Sequence, residues 1–199
     1  MPGISMKGIS KDIPWPGSRC GWIEVYNAEK DQNFRDFINM ILLAKMLEVC
    51  STTLPQMVLP HIYQAPEFAD HIHSRLEKYQ RRAEQAVAFF RQLPQVRVSM
   101  PDGIFYLVVE LLNLPRHTLT PKTKAARLYI DSLLAQGDIA PDFQFIYEMM
   151  AAEGVCAVPL SGFGSERQGF RMTLLQHDDA IFTDTLERIG RAITHYYAH

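Results

Sequence analysis

Apolar residues recur at two periods along this chain, and the changes of period mark out its elements. Phe68, Ile72, Leu76, Tyr79, Ala83, Ala86 and Phe90 return every third or fourth residue between about Pro66 and Leu93. That spacing predicts a long amphipathic helix with a charged outer face, ended by Pro94. Phe34, Phe37, Ile38, Ile41, Leu42 and Lys45 predict a second helix from about Asn33 to Cys50. A third passes through Gln56, Val58 and Ile62, with Ser51, Thr52 and Thr53 as N-cap candidates and Pro55 near its start. Further helices are predicted around 124–135, from Asp142 as N-cap to Glu153 with Gly154 as C-cap, and from Asp178 through Ile181, Phe182, Leu186, Ile189, Ile193 and Tyr197.

A period of two, with aromatic and β-branched residues, predicts strands at 22–26, 96–100 and 104–111, the last two joined by the turn Pro101-Asp102-Gly103. Val155-Cys156-Ala157-Val158-Pro159 and Gly169 to Leu175 are two more. Residues 1–22, rich in Gly, Pro and Ser, read as loop. From residue 94 the order is therefore β-β-α-α-β-β-α, a small α+β sheet packed on helices. The earlier part holds one strand and helices, and a lone strand implies neighbours elsewhere.

Composition narrows the classes. The chain has 199 residues and is 47% hydrophobic, ample for a core of one or two domains. A net charge of −2 gives no global basic field to attract nucleic acid or an anionic membrane. The densest basic cluster, Lys78, Arg81 and Arg82, reads as a solvated helix face. The longest apolar stretch, near Ile38 to Leu47, is broken by Asn39 and Lys45 and is too short to span a bilayer. Cys20, Cys50 and Cys156 are far apart and lack metal-ligand spacing, so no metal is expected. With no apolar leader at the start, they read as reduced thiols of a cytoplasmic protein.

The chemistry concentrates in Gly8-Ile9-Ser10-Lys11-Asp12-Ile13-Pro14-Trp15-Pro16-Gly17-Ser18-Arg19-Cys20-Gly21-Trp22. A lysine follows small residues, and an arginine comes eight positions later. A Schiff-base lysine must lose its proton, which burial and nearby positive charge favour. Arg19 lies near Lys11 in sequence, and Pro14, Trp15 and Pro16 would stiffen and desolvate the loop. A phosphate needs a bidentate arginine and hydroxyls, and Ser10, Ser18 and Arg19 are candidates. Pyridoxal phosphate carries both an aldehyde and a phosphate. The plain alternative is a surface loop with one ordinary lysine and one ordinary arginine.

These residues resemble the class I/II, fold-type I aminotransferases. The family's cofactor-lysine motif is matched by Gly8-Ile9-Ser10-Lys11 and Arg19-Cys20-Gly21. Ser51-Thr52-Thr53 with Leu54-Pro55-Gln56 is similar to the segment that reaches the partner subunit's cofactor phosphate. Pro101-Asp102-Gly103-Ile104-Phe105-Tyr106, then Gly154-Val155 through Pro159 to Phe163-Gly164, and Gly169-Phe170-Arg171 follow in the family's order. Gly8 departs from it, standing where many members have a serine that touches the phosphate, as do Pro14, Trp15 and Cys20. Residues 113–141 look like an insertion, read as surface decoration.

The resemblance implies an α/β fold with an α+β small domain, the C-terminal portion of the fold-type I architecture. Residues 1–65 would be the end of the large cofactor-binding domain, 66–93 a connecting helix, and 94–199 the small domain. It implies pyridoxal 5'-phosphate as cofactor, an amino acid and a 2-oxo acid as substrates, and a homodimer. Lys11 would hold the cofactor and act as general base, Arg19 and Ser10 would hold the phosphate, and Arg171 would bind the substrate α-carboxylate. Ser51, Thr52 and Thr53 would contact the partner subunit's phosphate. The family's ring-stacking aromatic, its Asn at the ring oxygen and its Asp at the pyridine nitrogen have no assigned counterpart, so the chain is expected to be inactive alone. A non-catalytic interaction module, and a lyase or decarboxylase on the same Schiff base, are the alternative readings.

Overall fold

A computed structural model describes residues 1–103 and 105–198, which form two compact units, 1–71 and 72–199. The first unit opens with an antiparallel hairpin of β1 (Gly3–Gly8) and β2 (Gly21–Tyr26). Between them lie a single turn of helix, α1 (Ile9–Asp12), and a 3-10 turn at Pro16–Ser18. Then come α2 (Gln32–Lys45) and α3 (Thr53–Gln64). The strand expected at 22–26 is therefore not lone, and 3–8 is not loop. Register pairs Gly8 with Gly21, and a Cβ on Gly21 would stand 2.8 Å from the Lys7 carbonyl oxygen. Only glycine allows the two backbones to approach there. The same small residues that read as loop let the hairpin close.

Asp31 caps α2 by accepting from the Phe34 N–H, at 3.0 Å. The helix ends at Lys45, short of the expected Cys50, where the Leu47 and Glu48 N–H groups turn to the carbonyls three residues back, those of Ala44 and Lys45. Thr52 takes the N-cap position of α3, though its side chain makes no capping bond.

In the second unit α4 (Phe68–Phe90), whose first turn falls in the first unit, leads to a four-stranded antiparallel sheet of order β3-β4-β6-β5. The strands are β3 (Val96–Val98), β4 (Tyr106–Leu111), β5 (Val158–Pro159) and β6 (Gly169–Thr173). Ile104, expected to begin a strand, lies outside the described residues. Helices α5 (Lys124–Leu134), α6 (Pro141–Glu153) and α7 (Asp179–Tyr197) complete the expected order. Asp178 caps α7 through the Ala180 and Ile181 N–H groups, and Gly154 ends α6 in the left-handed conformation at φ 75°.

Leu107, Val109 and Leu111 of β4 and Phe170 and Met172 of β6 bury one sheet face against Phe90, Phe145, Phe182, Leu186, Ile189 and Ile193. Phe145 stacks on Phe170 with ring centroids 6.2 Å apart, and Tyr196 meets its edge at 5.1 Å. Each such aromatic contributes about 2–3 kcal/mol by leaving water. The other sheet face carries Tyr106, Val108, Val158, Arg171 and Thr173, half-buried or exposed.

Three expectations change here. Arg82 is not on a solvated face; it is 3% exposed. Its guanidinium donates to Leu174 O at 3.0 Å, His177 O at 3.2 Å and Asp179 Oδ1 at 2.6 Å, and lies 5.0 Å from the Phe182 ring centre. Asp142 is not a cap but lies inside the first turn of α6, fully buried, accepting from Ser161 N at 2.9 Å and Ser161 Oγ at 2.5 Å. Residues 155–157 are not strand, because β5 follows β6 only over Val158 and Pro159.

The 113–141 segment is tied in rather than laid on the surface. Glu148 of α6, fully buried, accepts from the Leu119 N–H at 3.0 Å and from Arg127 Nη1 at 2.9 Å. Gln144 Nε2 donates to the His117 carbonyl, and Leu119 and Ile130 are buried.

Candidate active site

Lys11 and Arg19 flank the loop that closes the β1–β2 hairpin. Ile9, fully buried, anchors α1. Its N–H donates to the Cys20 carbonyl at 3.3 Å, and its carbonyl accepts from the Trp15 N–H at 3.1 Å. Those two bonds fold the loop back on itself and bring the Lys11 turn to the start of β2. Lys11 is exposed and Ser10 half-buried, on the same turn. The proline-rich stretch does not cover the lysine as expected: Pro14 and Trp15 are themselves half-buried.

Ser18 is 4% exposed, and its hydroxyl donates to the Trp15 carbonyl at 2.7 Å. That hydroxyl is committed to the loop, not offered to a ligand. Arg19 adopts a left-handed backbone, φ 51°, with its N–H and Nη1 both directed at the Pro16 carbonyl.

Arg19 lines a cavity of about 100 Å³ with Lys45, Glu48, Ser51, Thr52 and Gln56 of the same chain. Ser51 Oγ donates to Glu48 Oε1 at 2.8 Å and accepts from Lys45 Nζ at 3.3 Å, and Lys45 pairs with Glu48. Thr53, exposed, is the first residue of α3. A guanidinium, an ammonium and two hydroxyls around one small space are a donor set that suits a phosphate, with the Glu48 carboxylate as the opposing charge. Beside it, Trp22, Leu59, Pro60 and Tyr63 line an apolar cavity of about 300 Å³. The Tyr63 ring meets Trp22 edge-on, and burial, with the Asp12 carboxylate adding, pushes its phenol up.

In the second unit, Arg171 lies on the open sheet face, opposite Val108 in register. It lines a groove of about 490 Å³ with Val155, Cys156, Thr173 and His177. Its guanidinium carbon stands 4.2 Å from the Tyr106 ring centre and 4.3 Å from that of Phe163. Both aromatics belong to motifs read from the sequence, Tyr106 closing the stretch 101–106 and Phe163 preceding Gly164, but the sequence reading gave neither a role. Tyr106 shares Arg171's face one register step away, opposite Thr173. Phe163 sits on a 3-10 turn, Ser161–Phe163, that the chain order alone does not place. Among the described residues no group of three or more His, Cys, Asp or Glu could hold a metal, and no helix is long and apolar enough to cross a membrane. The three cysteines are free thiols.

A hairpin whose closing loop carries Lys11 and Arg19, followed by a small α+β unit with an arginine on its open sheet face, is the arrangement of a fold-type I transferase portion. Residues 1–189 match the family described as aminotransferase class I and II, and the chain belongs to that family. It is 36% identical over 198 residues to an uncharacterized aminotransferase of Methanocaldococcus jannaschii, covering 98% of this chain and 45% of that protein. Alanine aminotransferase 1 of Bos taurus is 26% identical over 172 residues, 80% of this chain and 30% of its own length. The solved alanine aminotransferase from Pyrococcus furiosus superposes with a TM-score of 0.73 at 20% identity, over 98% of this chain and 43% of that one. The chain thus spans less than half the length of the relatives it matches.

Proposed function

We propose that this chain is the lysine-bearing portion of a pyridoxal-phosphate-dependent aminotransferase that moves an amino group between an amino acid and a 2-oxo acid. The carrying observation is the closed loop that sets Lys11 and Arg19 on one hairpin. Pyridoxal phosphate, when bound, supplies an electron-withdrawing ring that takes up electrons released at the substrate α-carbon. Lys11 holds that group and then carries the proton to and from the α-carbon on its Nζ. Arg19 and Ser10 grip the phosphate. Ser51, Thr52 and Thr53 reach the phosphate held by a second copy in a homodimer. Arg171 takes the substrate α-carboxylate through two parallel N–H···O bonds. The 199 residues alone are inactive in this reading, because Lys11 stands exposed to water.

A second reading, a non-catalytic interaction module, draws on the apolar residues that the first unit exposes, Met40, Leu43, Leu47, Leu54 and Met57 among them. Incubation with pyridoxal phosphate, borohydride reduction and peptide mapping separates the two. One stoichiometric adduct on Lys11, absent from Lys11→Ala, is expected for the enzyme portion. Scattered or absent labelling favours the module.

A further inference from the structure

Among the described residues, the Arg171 guanidinium donates no hydrogen bond and makes no ion pair; its contacts are the two aromatic faces of Tyr106 and Phe163. A half-buried arginine ordinarily directs its five N–H groups at carbonyls or carboxylates. Arg82 in the same unit does so four times, to three partners. At Arg171 the rings hold the cation while leaving every donor unengaged.

We propose that Tyr106 and Phe163 are positioning residues that clamp the Arg171 guanidinium and present its N–H edge to a carboxylate. The inference rests on the reading of Arg171 as the α-carboxylate site. A guanidinium is planar and its donors all lie in that plane. Rings near its carbon restrict rotation without competing for the donors, so the fork is ordered before a ligand arrives. A hydrogen-bonded anchor would order the same side chain only by taking up donors that the carboxylate needs.

Phe163 is 52% exposed, yet its backbone is well fixed. The 3-10 turn that carries it starts at Ser161, whose N–H and hydroxyl are both held by the buried Asp142 carboxylate. Phe163 N donates to Leu160 O at 2.9 Å, and Leu160 N donates to Gly169 O at 3.0 Å, two residues before Arg171. Gly164 ends the turn in the left-handed region at φ 73°. Tyr106 is placed independently by the β4–β6 register. Two separate elements therefore converge on one cation.

The test is nitrogen-15 NMR of the Arg171 Nε–Hε group in the full chain, assigned by its loss in Arg171→Lys, with pyruvate as carboxylate probe. An upfield ring-shifted signal with slowed guanidinium rotation is expected, collapsing toward free arginine in Phe163→Leu and restored in Phe163→Tyr. Pyruvate should move the wild-type signal, with affinity about fivefold weaker in Phe163→Leu, the size of one partly exposed cation–π contact. A wild-type signal at the free-arginine position overturns the clamp, and unchanged pyruvate affinity in Phe163→Leu overturns its positioning role. A ring-shifted wild-type signal that ignores pyruvate overturns the carboxylate role of Arg171, and with it the purpose of the clamp; the persisting ring shift tells this outcome from loss of the clamp itself.

Discussion

Single side chains in this protein matter most where they are buried with a charge. Arg82 neutralises two carbonyls and the Asp179 carboxylate at once. Replacing it with Met leaves the Leu174 carbonyl without a donor and removes one of the two that reach the His177 carbonyl, Lys78 Nζ at 3.0 Å being the other, and a loss of about 2 kcal/mol in denaturant unfolding is expected. Hydrogen bonding from Arg82 holds the Asp179 carboxyl below the usual aspartate range. A depressed folded-state value means stability that is present above the unfolded value and lost as pH falls through the folded one. Wild-type melting temperature should therefore drop more steeply below about pH 4 than that of Asp179→Asn. Equal slopes would remove Asp179 from the account. Arg82 also shows where sequence reading fails at this scale. Of its neighbours, Arg81 is exposed and Lys78 half-buried, its Nζ donating to the His177 carbonyl at 3.0 Å, and nothing in a cluster of three cations says which one faces inward.

Whole elements were legible where periodicity was long. The 23 residues of α4 and the 19 of α7 match their apolar stripes, and Asp178 and Gly154 start and stop helices as their chemistry predicts. What the pattern could not supply was pairing. β1, with the sequence GISMKG, has no strand signature and forms because β2 offers it a ladder. The role of Glu148 was hidden for the same reason, since its partners Leu119 and Arg127 are 29 and 21 residues away. Glu148→Leu should leave the Leu119 N–H without an acceptor and Arg127 paired with Asp131 alone, costing about 3 kcal/mol. Hydrogen exchange should rise across 113–135 before it rises in α7. A second element-level test is Gly169→Ala. At φ 147°, a Cβ there would stand 2.2 Å from the Val109 carbonyl oxygen in β4. Backbone cannot yield cheaply, so a loss of about 3 kcal/mol or more is expected, with the β4–β6 ladder disrupted. A fully stable Gly169→Ala would mean that the strands are not so closely apposed.

At the level of the whole molecule, exposed apolar surface concentrates before residue 71. Phe37, Met40, Leu43 and Leu47 stand open along and just past α2. Sedimentation velocity should show concentration-dependent self-association of the chain, reduced in a Met40→Lys, Leu43→Glu double variant. A monomer at all concentrations would argue against it. Lys11, Arg19 and Arg171 were singled out from residue order, and the roles proposed for them rest on it. Their surroundings were not, because Ser18's internal bond, the Glu48–Lys45 pair and the rings around Arg171 arise from contacts that spacing does not encode. The hairpin has a consequence of its own. A two-stranded ribbon is marginal in water, and this one carries Lys11 and Arg19 on the loop at its closed end. The separation of the Lys11 ammonium and the Arg19 guanidinium is then a variable of the ribbon's zipper equilibrium, not a constant of the fold. A bidentate anion bridging the two would act as a clasp, and phosphate alone should slow amide exchange from Gly3 to Tyr26, far beyond the atoms it touches.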